Sequence, residues 1–192
     1  MKTRLLAVAL STVLAFGAVG CYESLTSIAT PDKLVADDDL PGDYQAVDPG
    51  TGRLTIAKGE GKTYTFRQFD EKGEPTSKGT LQIVKLGGAQ FYQITVDGYA
   101  TLDGKPVYAI GRIVIEGKAG AKTMTGFAFK SKEQFFDAIG VVTSEYAYKE
   151  NGEEKRSRAL AMSAESLQAY LAGRAGEMTE PTLKFQQTAA AR

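Results

Sequence analysis

From residue 40 onward, apolar side chains recur at every second position in short runs, and most runs are followed by residues that favour tight turns. Residues 53–57 place Leu54 and Ile56 on one face. Residues 62–69 place Tyr64 and Phe66 on one face, with Thr65 and Arg67 opposite. Residues 80–86 follow, then 91–96 with Tyr92, Ile94 and Val96 in step, then the β-branched run 107–115. Residues 122–129 carry Phe127 and Phe129, residues 141–149 carry Tyr146 and Tyr148, and residues 156–162 carry Leu160 and Met162. A period of two in Val, Ile, Thr, Tyr and Phe marks half-buried strands, because successive side chains of a strand point to opposite faces. The separators Lys72-Gly73, Gly87-Gly88, Asp97-Gly98, Asp103-Gly104 and Asn151-Gly152 accept the positive φ that short hairpin turns require. Strands about ten residues apart, joined this way, predict an antiparallel up-and-down meander. Roughly eight such strands hide their edges most simply by closing into a barrel.

Two helices interrupt the alternation. Ser131-Lys132-Glu133-Gln134 has the form of a capping box, followed by Phe135, Phe136 and Ile139 on one face and Gly140 as a stop. A second, C-terminal helix starts at Ser163, with Glu165 in its positive first turn and Leu167, Tyr170 and Leu171 on its apolar side. Met162 before the cap is placed to pack on Leu167, and Gly173 or Gly176 ends the helix. Residues 182–185 are a last candidate strand, and 188–192 are expected to be a disordered tail.

The first twenty residues have a different character. Lys2 and Arg4 precede an uncharged apolar run over residues 5–19, short for a membrane-spanning helix, and Ala18-Val19-Gly20 supplies small residues before the chain's one cysteine, Cys21. That is the pattern of a secretory signal peptide. The small-small-Cys ending resembles the lipobox of bacterial lipoproteins. The resemblance implies cleavage before Cys21, acylation of its thiol and a stable membrane anchor, since more than one acyl chain is needed to hold a protein firmly. Tyr22 stands where an Asp would favour the inner membrane of a Gram-negative cell, so the resemblance points to the outer membrane, facing the periplasm or the cell surface. Residues 21–39 lack apolar periodicity and include Asp37-Asp38-Asp39, which predicts a lipidated, flexible, solvated tether. The acidic triplet lacks the alternating pattern of a calcium loop.

Composition narrows the function. Without residues 1–20 the chain has 21 basic and 23 acidic residues, a net charge of −2, so nucleic acid is not an indicated partner. The absence of His, with Cys21 assigned to the anchor, removes the usual ligands of Zn, Cu and haem and every His-dependent catalytic triad. The carboxylates Asp70, Glu71, Asp97, Asp103 and Glu116 fall in predicted turns or at strand ends. The expectation is a protein that is not an enzyme and carries no metal or cofactor.

Leu40-Pro41-Gly42-Asp43-Tyr44 resembles the G-x-W opening motif of lipocalins, with Tyr44 in the place of Trp. Together with the layout of residues 124–129, the Phe135-Phe136 helix and the helix bearing Leu167 and Leu171, the chain resembles small bacterial lipoproteins with a lipocalin-like barrel and a C-terminal helix. The resemblance implies a domain over residues 40–187 and a barrel interior. Tyr64, Phe66, Tyr92, Ile94, Tyr146 and Tyr148 are candidates to line a cavity for a small apolar or amphipathic ligand, with Ala109, Gly111, Gly126 and Ala128 leaving room. The same aromatics at strand spacing equally suit a packed core. In that case the domain is an interaction or structural module of the cell envelope, with Lys155, Arg156 and Arg158 as a charged rim.

Overall fold

The computed structural model describes residues 22–47, 52–99, 101–102, 104–130, 136, 141–150 and 153–188, and the side chains of 148–150 and 153–154 lie outside that description. Cys21 and, apart from Phe136, the residues of the helix expected over 131–140 also lie outside it.

The strands are β1 (Tyr22–Ser24), β2 (Leu34–Val35), β3 (Gly42–Ala46), β4 (Arg53–Lys58), β5 (Thr63–Phe69), β6 (Pro75–Leu86), β7 (Ala89–Val96), β8 (Thr101–Leu102), β9 (Lys105–Pro106), β10 (Tyr108–Glu116), β11 (Thr123–Phe129), β12 (Thr143–Glu150), β13 (Glu153–Leu160) and β14 (Met178–Gln187). Helix α1 (Ala164–Arg174) precedes β14, separated from it by one 3-10 turn over Ala175–Glu177. An eight-stranded antiparallel barrel runs β3-β4-β5-β6-β7-β10-β11-β14 and closes where β14 pairs with β3.

The count of eight matches the sequence expectation, but two members differ. The runs around Tyr146 and Leu160 are strands, yet they stand outside the barrel as the β12–β13 hairpin, while β3 and the lengthened β14 take their places. The reason lies in β10. Its Arg112–Glu116 half pairs with β11, but its Tyr108–Ile110 half pairs with β1. Register breaks in β11 at Gly126/Phe127 and Ala128/Phe129 bend that strand away, freeing the edge that β1 occupies. β1 then pairs with β13, so the sheet continues beyond the barrel as a short wing.

Inward and outward positions follow the period of two. Tyr64 and Phe66 are buried inside while Thr65 and Arg67 face outward, and Lys78 and Lys85 are likewise exposed on β6. An apolar inside and a charged outside are the reverse of a membrane-spanning barrel. No helix among the described residues is long and apolar enough to cross a membrane.

A second core lies on the outer wall. Val84, Leu86, Phe91 and Ile110 of the barrel strands pack there against Tyr22, Ile28, Leu160, Leu167 and Leu171. Helix α1 begins as its sequence dictates: the Ser163 hydroxyl accepts from Ser166 N–H at 3.2 Å, and Glu165 stands in the first turn. It runs past Gly173, and the 3-10 turn carries the chain through Gly176 into β14. The β6–β7 hairpin turn sits under this helix. Gly87 has φ 54°, and a Cβ there would stand 3.0 Å from the Cβ of Ala172.

The tether expected over 21–39 is not what the described part of that segment forms. Tyr22, Ser24 and Ile28 are fully buried, and β2 pairs with β6. The Gln93 side chain accepts from Ile28 N–H at 2.7 Å, and the Gln168 amide of α1 donates to Ile28 C=O at 2.9 Å. The segment is therefore a strap between barrel wall and helix. Strands of two and three residues carry no periodicity that sequence alone can register, and their order comes from long-range partners.

Candidate functional site

The barrel interior is the candidate site. At one end the chain itself forms a plug. The Tyr64 hydroxyl donates to Asp37 C=O at 3.0 Å and accepts from Asp37 N–H at 2.6 Å. The Tyr44 hydroxyl donates to Leu40 C=O at 2.6 Å, and Leu40 is fully buried. Lys122 Nζ reaches Asp37 Oδ2 at 2.8 Å with its side chain 10% exposed. The Gln187 side chain ties both sides of the rim, accepting from Lys122 N–H at 3.1 Å and donating to Pro41 C=O at 3.2 Å. Burial, with the Asp37 charge and Tyr64 behind it, holds the Tyr44 phenol well above its ordinary range. Within the acidic triplet Asp37 closes the barrel, while Asp38 and Asp39 stay exposed as a solvated charge run does, Asp38 pairing with Lys58 at 2.8 Å.

Inside, Tyr64, Phe66, Tyr92 and Ile94 are all buried in one cluster with Tyr44, Leu54, Ile56, Met124 and Phe185. The gap left among Leu54, Phe66, Tyr92, Ile113, Leu183 and Phe185 amounts to ≈ 20 Å³ of room for the centre of a water-sized sphere, and it exposes no polar atom. That is space for about one water molecule, and an apolar wall gives such a water no partners.

The small residues do not enlarge the gap. A Cβ on Gly111 would stand 2.4 Å from Tyr92 Oη and 2.5 Å from its Cζ, because the Tyr92 ring lies across its cross-strand partner. A Cβ on Gly126 would meet Leu183 Cδ1 at 3.1 Å. Ala109 packs against the interior cluster, and Ala128 belongs to the outer core. The space at each glycine is filled by a larger neighbour across the sheet, Tyr92 at Gly111 and Leu183 at Gly126.

Two of the six candidate lining residues are elsewhere. Tyr146 is buried in a third, small core with Val107 and Ala159 on the wing, and Tyr148 belongs to the same strand, outside the barrel. The period of two places a side chain on a face; it does not say which sheet region the face covers. Glu23, which sequence reasoning passed over, sits beside Tyr146. Its carboxylate accepts from Tyr99 Oη at 2.9 Å and from Ser157 Oγ at 2.6 Å, joining β1, the β7–β8 loop and β13. Burial first, then the Glu23 carboxylate, pushes the Tyr146 phenol upward.

The remaining sequence candidates are dispersed. Arg156 and Arg158 are exposed on β13, with Arg158 stacked over Phe136 at 5.4 Å. Asp70 accepts from Lys72 and Glu74 N–H within its own turn, and Asp97 pairs with Lys78 at 3.6 Å. No group of three metal-ligating side chains occurs among the described residues. The chain matches no protein-family model, no curated protein and no solved structure.

Proposed function

We propose that this chain is a bacterial lipoprotein, held by acyl chains on Cys21 at the outer membrane, whose lipocalin-like barrel is a packed protein-interaction or structural accessory module of the cell envelope and performs no chemistry. The signal-like residues 1–20 and the lone cysteine after Ala18-Val19-Gly20 support the anchor. The plugged, filled barrel supports the module. A carrier of a small apolar ligand is the other reading of the same barrel. It would need Tyr64 to release Asp37, or Tyr92 to leave Gly111, before the interior could admit a guest of ordinary ligand size, roughly 300 Å³ or more.

Native mass spectrometry of the protein, mildly extracted from its own membrane, tests the proposal. A lipidated mass, bare or with a second protein at fixed ratio, supports it. A small molecule of a few hundred daltons that stays bound until denaturation would replace the module with a carrier. An unacylated mass would remove the anchor.

A further inference from the structure

If Cys21 carries the anchor, the absence of a tether fixes which face of the protein meets the membrane. No residue separates Cys21 from Tyr22, and Tyr22 is fully buried in β1. Adjacent Cα atoms are about 3.8 Å apart, and the headgroup layer of a bilayer is roughly 5–8 Å thick. Acyl chains on Cys21 therefore bring the Tyr22 backbone to headgroup depth, and the domain has no length of chain with which to stand off.

The surface at that point is built from arginines on aromatic rings. The Tyr22 ring meets Phe129 edge-on at 5.4 Å and Phe136 at 6.2 Å. Arg174 lies over Phe129 at 5.0 Å and over Tyr170 at 5.4 Å, Arg158 over Phe136 at 5.4 Å, and Arg112 over Phe127 at 5.1 Å. Arg156 alternates with Ser157, which faces Glu23, and so shares the face of Arg158 and Leu160. Among the described residues, acids set against this face include Glu177, paired with Arg174, Glu145, opposite Arg158 in the hairpin register, and Glu180, opposite Ala128 in the β11–β14 register. Guanidinium groups stacked on half-buried rings suit a phosphate-rich interface, where the ring meets the acyl boundary and the cation meets phosphate.

We infer that the outer face around Tyr22, carrying Arg112, Arg156, Arg158, Phe127 and Tyr170, is a membrane-contact surface for phospholipid headgroups, and that the protein lies on the bilayer in one orientation. The inference rests on the anchoring proposed above.

The chain has no Trp, so one introduced Trp is a clean reporter. Phe127→Trp on β11 and Tyr170→Trp on α1 place it on the inferred face. Ala57→Trp places it at an exposed position of β4, four strands from β10 around the closed ring. Each acylated full-length variant is reconstituted into vesicles of phosphatidylethanolamine and phosphatidylglycerol, with brominated phospholipid as quencher. The expected result is several-fold stronger quenching for Phe127→Trp and Tyr170→Trp than for Ala57→Trp. Equal quenching in protein whose acyl mass is confirmed overturns the orientation and leaves the anchor standing. A mass without acyl chains overturns both. Using two positions on the face keeps the test decisive if one variant does not fold.

Discussion

Replacement of Gly111 measures directly whether the barrel is full. Its φ is not in the left-handed region, so alanine meets no backbone strain there, and the whole effect comes from the Tyr92 ring. The new methyl would lie 2.4 Å from Tyr92 Oη, 2.5 Å from Cζ and 2.7 Å from Cε1, all well inside van der Waals contact. Relief requires the ring to swing, and the neighbouring gap of ≈ 20 Å³ does not hold a phenol. Gly111→Ala is therefore an overpacking substitution, expected to cost about 1–3 kcal/mol. For a chain of this size that is a fall in Tm of roughly 3–10 °C. Tyr92→Leu, which shortens the offending side chain, should itself destabilise, yet adding Gly111→Ala to it should cost almost nothing. The two changes are then non-additive by at least about 1 kcal/mol in a double-mutant cycle. The assay is thermal or urea unfolding of the four proteins, followed by circular dichroism. If Gly111→Ala leaves Tm unchanged and the cycle closes additively, Tyr92 has somewhere to go. The filled-barrel argument then fails, and the ligand-carrier reading gains.

Three other outcomes follow from the same geometry. Tyr22→Ala should cost about 3–5 kcal/mol, as a fully buried aromatic does, whereas a flexible tether would lose nothing; urea unfolding of the mature chain decides between them. Lys122→Met should destabilise by about 1–2 kcal/mol, less than a fully buried pair because Asp37 keeps some solvent contact, and should speed amide exchange at residues 37–40 while leaving α1 protected. Tyr44 and Tyr146 have phenol pKa values raised by burial above their ordinary 10.0, so the native state holds those protons more tightly than the unfolded chain. Their stabilisation is complete below that pH and is lost as pH rises past it. Tm measured across the alkaline range should fall beyond pH ~10, and less steeply for Tyr44→Phe; parallel declines in both proteins would contradict this origin.

What the sequence alone determined is the local alphabet of the fold. Strict alternation of apolar and polar residues announces Leu54, Tyr64, Phe66 and Ile94 as inward, because a strand admits no other period, and Ser163 starts its helix because its hydroxyl satisfies an exposed N–H within the same turn. These are interactions between residues near in sequence, so the pattern carries them. Only the tertiary structure decided three further things. Bends in β11 free one edge of β10 for a three-residue strand, and so place Tyr146 on a wing and not in the barrel. Asp37, in a run that reads as solvated spacer, finds Lys122 and Tyr64 and becomes the plug. Gly111 reads as vacancy until Tyr92 crosses from the next strand and fills it. Whether a small residue is a space or a seat, and whether a charge run is a tether or a lid, depends on partners tens of residues away, and a local pattern holds no record of which partner arrives.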